Sequence, residues 1–421
     1  MPFISFICFF IFLAFLITGF KRNAEFLSPA RIYIMLWAFV LAMVEYKFSR
    51  LQFKWSSFDW LIVLLGVTSF IIGIYLSFII NLNKPFHNVS EIRIRIRELS
   101  VNENKLFWVI IIYFFICLIS FIAEWQIEGY IPLFTSDPDK ARVMFGIFGL
   151  HYILQSIIVV LFLIIEYFIL INKNRFKKTL LSLVFLLSLG NYILFVQRYG
   201  LFILLMMGFC LFYYSGRKIR PRTIIIFTAI LIGLIAGIQS LRTTQLGLEY
   251  FYLESQMKFP SSYAGYTIPY MYISMNIENF VKYYPQIPHT FGFYTFGFIT
   301  DILKAFVVDY HNFDKFSLHI GGYNTFPFFW AYYYDFGTIG LSIIPLIIGF
   351  IISEVYYYLH RNPNIVILTL YCIAFTVIIL SFNSDPLTRF DTMLPFTVIV
   401  LVQFLIINKS EDKSEFKAEI G

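Results

Sequence analysis

The sequence predicts an all-α, polytopic integral membrane protein that forms a single membrane domain over residues 1–421. Of its 421 residues, 59% are hydrophobic and only 14% are charged, and the mean hydropathy is +0.76. A soluble protein of this length needs more polar surface than this composition supplies. The apolar residues also form separate runs, and most are close to the roughly 20 residues that cross a bilayer as a helix. We therefore expect about eleven transmembrane helices.

The predicted spans follow these apolar runs along the chain. They cover 2–20, 29–46, 58–80, 106–123, 151–172, 179–196, 199–215, 223–240, 337–358, 365–382 and 392–408. The first run lacks a basic start and an A-x-A-like cleavage site, so we interpret it as a helix rather than a signal peptide. The stretch 179–215 is too long for one helix and has a polar interruption at Gln197 and Arg198, which predicts a hairpin of two short helices.

Lysine and arginine divide the loops between these spans into two sets. The loops 21–31, 81–105, 173–178, 216–222, 359–364 and 409–421 hold 20 basic residues in 68 positions. The loops 47–57, 124–150, 197–198, 241–336 and 383–391 hold 12 in 145 positions. Because cytoplasmic loops collect Lys and Arg, we expect the first set to be cytoplasmic, the amino terminus to lie outside and the carboxyl terminus inside. The basic segment 91–105 is either a solvated loop or a segment lying on the inner leaflet.

Several kinds of chemistry are disfavoured by the sequence. The net charge of +7 arises from topology-setting loops, so we expect no nucleic-acid binding. The four cysteines fall in four different apolar runs, where they pack as small hydrophobes. Asp137-Pro138-Asp139 is interpreted as a turn or helix cap rather than a metal site, and His151 as an interfacial residue. The motifs of the common soluble enzymes and of ATP-driven motors are absent from the sequence, and we expect no cofactor and no metal.

Two outer segments, 124–150 and 241–336, are too long to be simple connections. The second has 96 residues and contains 14 of the 29 tyrosines. Aromatic rings stack on the C–H faces of sugars, and the polar groups among them can bond sugar hydroxyls, so this loop is predicted to bind a polyhydroxylated ligand. The alternative is an interfacial aromatic belt on short helices along the membrane.

Four arginines lie beside predicted helix ends on the outer side, where basic residues are sparse. They are Arg142, Arg198, Arg242 and Arg389. Guanidinium forks match phosphate oxygens, and an unpaired guanidinium at membrane depth is costly. We therefore predict that they bind a lipid-linked diphosphate. The alternative is that each of them pairs with a nearby acid or with phospholipid headgroups.

Four stretches of the chain resemble one known family. Gly129-Tyr-Ile-Pro-Leu-Phe134 is followed by Ala141-Arg142 and Phe145-Gly146. The other three are the hairpin carrying Arg198, Arg242 after the helix that enters the large loop, and the run Tyr323-Asn324-Thr325-Phe326 followed by Tyr334-Asp335-Phe336-Gly337 and Gly340. Together with the topology, they are similar to the Wzy-type oligosaccharide repeat unit polymerases of O-antigen and capsule synthesis.

The resemblance implies a GT-C-like membrane glycosyltransferase in the bacterial cytoplasmic membrane. Its donor and acceptor would both be undecaprenyl-diphosphate-linked oligosaccharides, transferred at the outer face without a metal, among membrane lipids and alongside a flippase and a chain-length regulator. The four arginines would hold the diphosphate, and Tyr323, Asn324, Thr325 and Tyr334 would bind sugar. Asp335 is the leading candidate for the base, with His311 and His319 behind it, although Asp335 is equally suited to capping the helix near Gly337.

Two other functions remain open from the sequence. A ligase that moves glycan from lipid diphosphate to a different acceptor would use the same arginines. A transporter or flippase of lipid-linked sugars commonly shows paired half-repeats, and this sequence contains no such repeat. The chain-elongating polymerase is therefore the leading prediction.

Overall fold

The computed structural model describes residues 3–21, 24–99, 101–171, 174–216, 247–286, 289–303, 320 and 323–407, together with positions 222, 229, 233 and 237. Within these residues the regular secondary structure is helical, and the extended pairings are isolated bridges. The predicted span 223–240 lies, apart from three positions, outside the described residues. An all-helical protein is what the apolar runs predict.

The helices are numbered here in chain order. They are α1 (Phe3–Gly19), α2 (Pro29–Glu45), α3 (Ser57–Asn81), α4 (Val89–Glu98), α5 (Glu103–Glu128), α6 (Pro138–Met144), α7 (Leu150–Gln155), α8 (Ile158–Leu170), α9 (Arg175–Leu194), α10 (Tyr199–Ser215), α11 (Gly247–Glu254), α12 (Thr267–Tyr283), α13 (Gly297–Leu303), α14 (Trp330–Arg361), α15 (Ile365–Leu380) and α16 (Phe390–Ile406). Short 3₁₀ turns lie at Pro132–Phe134, Ser261–Tyr266, Tyr284–Gln286 and Pro386–Thr388.

Five of the described helical segments are long and apolar enough to cross a membrane: α3, α5, the α7–α8 pair, α9 and α14. Four shorter apolar helices, α1, α10, α15 and α16, have 16 or 17 residues each. Except for 223–240, every predicted span falls on a helix. The chain is therefore a helical protein with several segments suited to spanning a membrane.

Local sequence explains where several of these helices begin. Pro29 occupies the first turn of α2, where its missing N–H is tolerated. A capping box opens α3, in which Ser56 and Asp59 satisfy each other's backbone N–H groups. The same arrangement of Asn88 and Glu91 opens α4. The helix starts thus follow cap chemistry that is visible in the sequence.

The helix α14 begins at Trp330, seven residues before the predicted start of its span. Its axis breaks at Gly337, which has φ +60° and ψ −145°, a backbone conformation open to glycine and strained for other residues. The ring of His289 lies against this position, and a Cβ there would come within 3.0 Å of its Nε2. Gly337 therefore marks the kink at which two helical segments join, and the second segment begins where the span 337–358 is predicted to start.

The basic segment after residue 88 forms α4, which packs on the end of α10 instead of remaining a solvated loop. Arg93 is buried and donates to the Tyr213 carbonyl at 2.7 Å, and Arg97 donates to the Ser215 carbonyl at 2.9 Å. The last carbonyls of a helix lack partners within it. The two arginines supply these partners, and their positive charge suits the carboxyl end of a helix.

The chain divides into two compact units, each assembled from several segments. Unit 1 comprises Met1–Pro85, Thr243–Tyr357 and Ala374–Met393, and unit 2 comprises Phe86–Arg242, Tyr358–Ile373 and Leu394–Gly421. Unit 1 has an aromatic core in which the rings of Tyr33 and Phe70 stack with centroids 4.1 Å apart. Unit 2 is built around α8, whose residues from 158 to 164 are all buried. The candidate functional residues lie in both units.

In unit 1, glycines bring α3 and α14 into backbone contact. A Cβ at Gly73 would lie 2.0 Å from the Leu346 carbonyl oxygen, and a Cβ at Gly349 would lie 2.3 Å from the Phe70 carbonyl oxygen. Small residues facing each other permit this close approach, which is a common way for helices to associate in membranes. The two helices are thereby fixed in register.

Candidate functional site

At the end of unit 2 that the charge distribution predicts to face outward, a carboxylate and an imidazole form a pair. Glu124 lies near the end of α5 and is fully buried, and His151 lies at the start of α7. Nδ1 of His151 is 3.2 Å from Oε2 of Glu124. The other carboxylate oxygen accepts the backbone N–H of Ile147 at 3.3 Å. Because a buried carboxylate is costly without partners, these contacts explain how Glu124 is accommodated.

The backbone before α7 is shaped to bring His151 to this position. Gly146 has φ +132°, and its N–H lies 3.4 Å from a carboxylate oxygen of Glu128, one turn beyond Glu124. A Cβ at Gly146 would lie 2.8 Å from the His151 ring. Glycine thus permits both the turn of the chain and the close packing of the imidazole. The segment preceding α7 folds back over the end of α5 as a result.

A small recess of about 10 Å³, room for about one water molecule, lies beside the pair and is lined by five polar and three apolar side chains. The polar ones are those of His151, Gln155, Asn191, Tyr192 and Gln197. Tyr192 is only 3% exposed. Its hydroxyl and Oδ1 of Asn191 have no hydrogen-bond partner among the residues that the structure describes. Buried polar atoms are nearly always paired in native proteins, so these two atoms are among the few exceptions in the described part of the chain.

Arg198 directly follows Gln197, which lines the recess, but is not itself one of the lining residues. The break between α9, which ends at Leu194, and α10, which begins at Tyr199, confirms that 179–215 contains two helices, and their packing as a hairpin stays a prediction. Arg198 occupies the N-cap position of α10 and is partly buried. Val196 in the turn has φ +52°, which is rare for a β-branched residue and typical of constrained functional segments.

Arg142 lies in α6 of the same unit and pairs with a neighbouring acid. Its Nη2 is 3.0 Å from Oδ1 of Asp139, which matches the alternative of local pairing for this arginine. Asp137 accepts the backbone N–H of Lys140 at 3.1 Å and caps the start of α6. The two aspartates of the D-x-D string therefore serve a helix cap and an ion pair, as the turn interpretation expected.

Asp335 lies in unit 1, fully buried in the first turns of α14. Its carboxylate accepts the hydroxyl of Thr290, the backbone N–H of Tyr294 at 3.1 Å and that of Thr295 at 2.6 Å. These groups belong to the turn before α13, so Asp335 orders that turn instead of capping the helix at Gly337. Its role as the base stays a prediction. These hydrogen bonds occupy lone pairs on both carboxylate oxygens, so fewer lone pairs are open to a substrate hydroxyl.

The segment predicted to bind sugar is held against α12 of unit 1. The side chain of Asn279 donates to the Tyr323 and Thr325 carbonyls, and Thr325 also donates to Asn276. Asn324 between them is exposed. Tyr334, 2% exposed, packs against Tyr294 and Trp330. Of the four residues, Asn324 is the most accessible to a ligand.

The other predicted site residues are placed as follows. Arg389, also in unit 1, forms a two-pronged ion pair with Asp391, in which its Nε lies 3.0 Å from Oδ1 of that residue. This matches the alternative of local pairing. Arg242, His311 and His319 lie outside the described residues. The structure therefore places Arg142 and Arg198 in unit 2, and Asp335, Arg389 and the predicted sugar-binding residues in unit 1.

A second buried polar cluster in unit 1 joins the loop after α2 to the long outer loop. Glu278 of α12 is fully buried and accepts Lys47, Nε2 of Gln52 at 3.2 Å and Nε1 of Trp55 at 3.2 Å. The hydroxyl of Tyr270 donates to Oε1 of Gln52 at 2.6 Å. Burial raises the pKa of Glu278 above its ordinary value, although the ammonium of Lys47 opposes this shift. The cluster ties α12 to a segment more than two hundred residues earlier.

Asp385 is a third buried acid of unit 1, in the turn before α16. Tyr332 donates to one of its oxygens, and the backbone N–H of Leu387 donates to the other at 3.0 Å. Burial raises the pKa of Asp385 to about 6. The side chain is thereby suited to changing its protonation near neutral pH.

Sequence reasoning missed the pair at the recess, because it treated His151 as interfacial and gave Glu124 no role. The available signal was an acid directly after the apolar run 106–123, combined with a histidine at the start of the next run, 151–172. Among the described residues no group of three or more His, Cys, Asp or Glu is placed to hold a metal ion. No family model, no curated protein and no solved structure matches this chain.

Proposed function

We propose that this chain is a membrane glycosyltransferase that polymerises undecaprenyl-diphosphate-linked oligosaccharide repeat units into O-antigen or capsular polysaccharide, at the outer face of the bacterial cytoplasmic membrane. The recess of unit 2 carries the proposal. There, the imidazole of His151 is held by a buried carboxylate beside a small recess with polar side chains in its lining, and Arg198 directly follows the lining residue Gln197 in the chain. A base, hydrogen-bonding groups and a guanidinium are the groups that transfer from a lipid diphosphate requires.

The reaction makes two demands on the protein. The bond between the anomeric carbon of the growing glycan and its diphosphate breaks, and the electron pair leaves with the diphosphate. A hydroxyl oxygen of the incoming repeat forms the new bond to that carbon, and its proton passes to a base. An imidazole is suited to accept the proton, and arginines are suited to stabilise the phosphate charge.

The helical body fits a substrate whose carrier is a long lipid. The polyprenyl chain remains in the bilayer, while its diphosphate and sugars lie at the surface. An enzyme for it needs apolar helices that cross the membrane and polar groups at their ends. The long apolar helices, with Glu124 and Arg198 close to helix ends, are arranged in this way. A flippase and a chain-length regulator are the expected partners in the same membrane.

The direct test uses the purified full-length protein in proteoliposomes with its lipid-linked repeats. We expect a ladder of glycans that grow by whole repeats. The Arg198→Ala variant should lose most of this ladder, because the leaving diphosphate loses a fork of hydrogen bonds. The matched control is Arg95→Ala, since Arg95 is an exposed arginine of α4 in the same unit. A folded wild-type protein without a ladder refutes the proposal.

A deletion strain separates polymerisation from ligation in the cell. Loss of a polymerase leaves single repeats attached to the final acceptor, whereas loss of a ligase leaves long chains stranded on the carrier lipid. Translocation of lipid-linked sugars by proteoliposomes without any ladder would instead indicate a transporter. We expect the first outcome in the strain and no translocation.

A further inference from the structure

We propose that Glu166 and Gln403 form a proton-binding site inside unit 2, in which Glu166 is a neutral carboxylic acid that donates its proton to the amide oxygen of Gln403. This proposal goes beyond the proposed function and does not rest on it. Glu166 lies in α8, and Gln403 lies in the part of α16 that belongs to unit 2. Contacts within that unit alone carry the argument.

Glu166 is an acid in the apolar interior of unit 2. Both Glu166 and Gln403 are 0% exposed. The neighbouring turns of α8 are closed to solvent as well, since residues 158–164 and Tyr167 are buried. The α7–α8 pair is also one of the segments suited to crossing a membrane. Water therefore does not solvate the carboxyl group of Glu166, and a negative charge on it would need balance from the protein.

Glu166 has no positively charged partner among the described residues. The ion pairs that the structure describes in unit 2 involve other acids. Tyr167, next to Glu166 in the sequence, donates to Glu103 instead, and Lys177 pairs with that same residue. A buried carboxylate without a counter-charge is so costly that the group takes up a proton and becomes neutral.

The hydrogen bonds between the two side chains indicate where this proton lies. Nε2 of Gln403 donates to Oε2 of Glu166 at 2.7 Å. The other oxygen of each side chain, Oε1, is buried and has no donor in the described part of the chain. Oxygens of a carboxylate and of an amide only accept, so an ionised Glu166 would leave both of them unsatisfied. A proton on Oε1 of Glu166 makes this atom a donor to Oε1 of Gln403.

A carboxylic acid and a primary amide are complementary in shape. Each group is planar and carries a donor and an acceptor side by side, so two groups that face each other form two parallel hydrogen bonds. Both Oε1 atoms are covered by the protein, so the ligand that fits here is a proton rather than a larger molecule. One proton thus satisfies two buried atoms and joins α8 to α16 by two hydrogen bonds.

The contact between α8 and α16 therefore depends on the proton. Its loss would break the bond from Oε1 of Glu166 and leave a buried charge without a counter-charge. Ionisable residues within membrane segments are rare and commonly functional. The pair weakens whenever the proton leaves, which makes it a site where proton release loosens the packing of two helices.

Infrared spectroscopy tests the protonation directly. The purified full-length protein is measured at neutral pH in a detergent without ester groups, because lipid esters absorb close to carboxylic acids. We expect the difference between wild type and Glu166→Gln to contain the carbonyl stretch of a protonated carboxylic acid, present in the wild type alone. The matched control is Glu91→Gln, because Glu91 is an exposed acid of the same unit, and it should keep this band. A folded Glu166→Gln with an unchanged carbonyl region overturns the proposal.

The variant Gln403→Leu tests the reciprocal bonding in the same spectra. Without the amide, the carbonyl of Glu166 accepts no hydrogen bond from residue 403, so its band should remain and move to a higher frequency. This variant also decides the matter if Glu166→Gln fails to fold. Identical carbonyl regions of folded Gln403→Leu and wild type overturn the proposal.

Unfolding by sodium dodecyl sulfate in mixed micelles gives an independent measurement. Glu166→Gln should unfold like the wild type, because the new amide supplies both a donor and an acceptor to Gln403. Glu166→Leu should raise the equilibrium constant for unfolding by roughly 5- to 150-fold, since it leaves both polar atoms of Gln403 unpaired. Adding Gln403→Leu should reverse most of this loss. If Glu166→Gln instead lowers the constant by a similar factor, the wild type holds a buried charge and the proposal is overturned.

Discussion

The buried carboxylate of Glu278 allows a sharp test of how the long outer loop is held. The substitution Glu278→Gln keeps the shape of the side chain but removes its charge and replaces one acceptor oxygen by a donor. Lys47 and Gln52 donate to one oxygen, and Trp55 donates to the other. Whichever way the amide is turned, at least one of these donors faces an N–H group. The Lys47 ammonium also loses its counter-charge.

The expected loss of stability follows from these contacts. Glu278 is fully buried, and the Lys47 side chain is 17% exposed. Removing one partner of a buried ion pair costs about 3–5 kcal/mol, because the remaining charge is left uncompensated. We therefore expect Glu278→Gln to lower the free energy of unfolding by about 3–5 kcal/mol. Lys47→Met should also destabilise the protein, and the double variant should lose less than the sum of the two.

Unfolding of the purified protein by sodium dodecyl sulfate in mixed micelles measures this free energy, with Trp55 itself as a fluorescent reporter. The matched control is Glu91→Gln, the same change in an exposed pair with His87, where the glutamate side chain is 49% exposed. Exposed pairs contribute about 0–1 kcal/mol, so this control should unfold like the wild type. If Glu278→Gln also stays within about 1 kcal/mol of the wild type, the cluster does not hold the loop.

Three further changes test other parts of the structure. Because the pKa of Asp385 is about 6 in the folded protein and 3.8 ordinarily, the folded state binds the proton more tightly. The contribution of Asp385 to the free energy of unfolding should therefore be greatest below about pH 4 and fall by about 3 kcal/mol as the pH rises through 6. In unfolding titrations, Asp385→Asn should remove this pH dependence. Gly73→Ala forces a Cβ to 2.0 Å from a backbone oxygen of α14 and should cost about 1–3 kcal/mol in the same titrations, whereas the control Gly190→Ala, with open space around its Cβ, should be neutral or stabilising. Asp335→Asn should destabilise the turn before α13 by about 1–3 kcal/mol yet leave transfer by the folded protein within about threefold; a transfer rate at least about 100-fold lower with unchanged stability would restore Asp335 as the base.

Much of the fold could be predicted because it depends on the hydropathy of successive stretches of the chain. A run of apolar residues becomes a helix in lipid, since every backbone polar group must be satisfied within the segment. The polar residues Gln197 and Arg198 interrupt an apolar run, which predicted the break between α9 and α10. The predicted start at Gly337 coincides with the kink between the two helical segments of α14, and only the first segment, from Trp330, was not predicted.

The site was harder to predict because its residues are distant in sequence. Asp335 looks like a free acid beside a helix start, but three groups of the turn at 290–295 occupy its oxygens. Arg142 is an exception, because its partner Asp139 lies only three residues earlier, at 3.0 Å, and local pairing is the alternative that the sequence left open. Lys47 and Glu278 show no relation in the sequence and form one buried pair. The partner of a charge is decided by which segments pack together.

The sequence alone determined that this chain is helical with several segments suited to spanning a membrane, where most of its helices lie, and that the helical stretch is interrupted at Arg198. These features follow from hydropathy and local backbone preferences, which act within a few residues. Only the tertiary structure decided that His151 meets Glu124 beside a recess and that Asp335 is engaged in holding a turn. Whether two residues 27 or 45 positions apart are in contact depends on how the chain between them folds. Local sequence patterns do not indicate this.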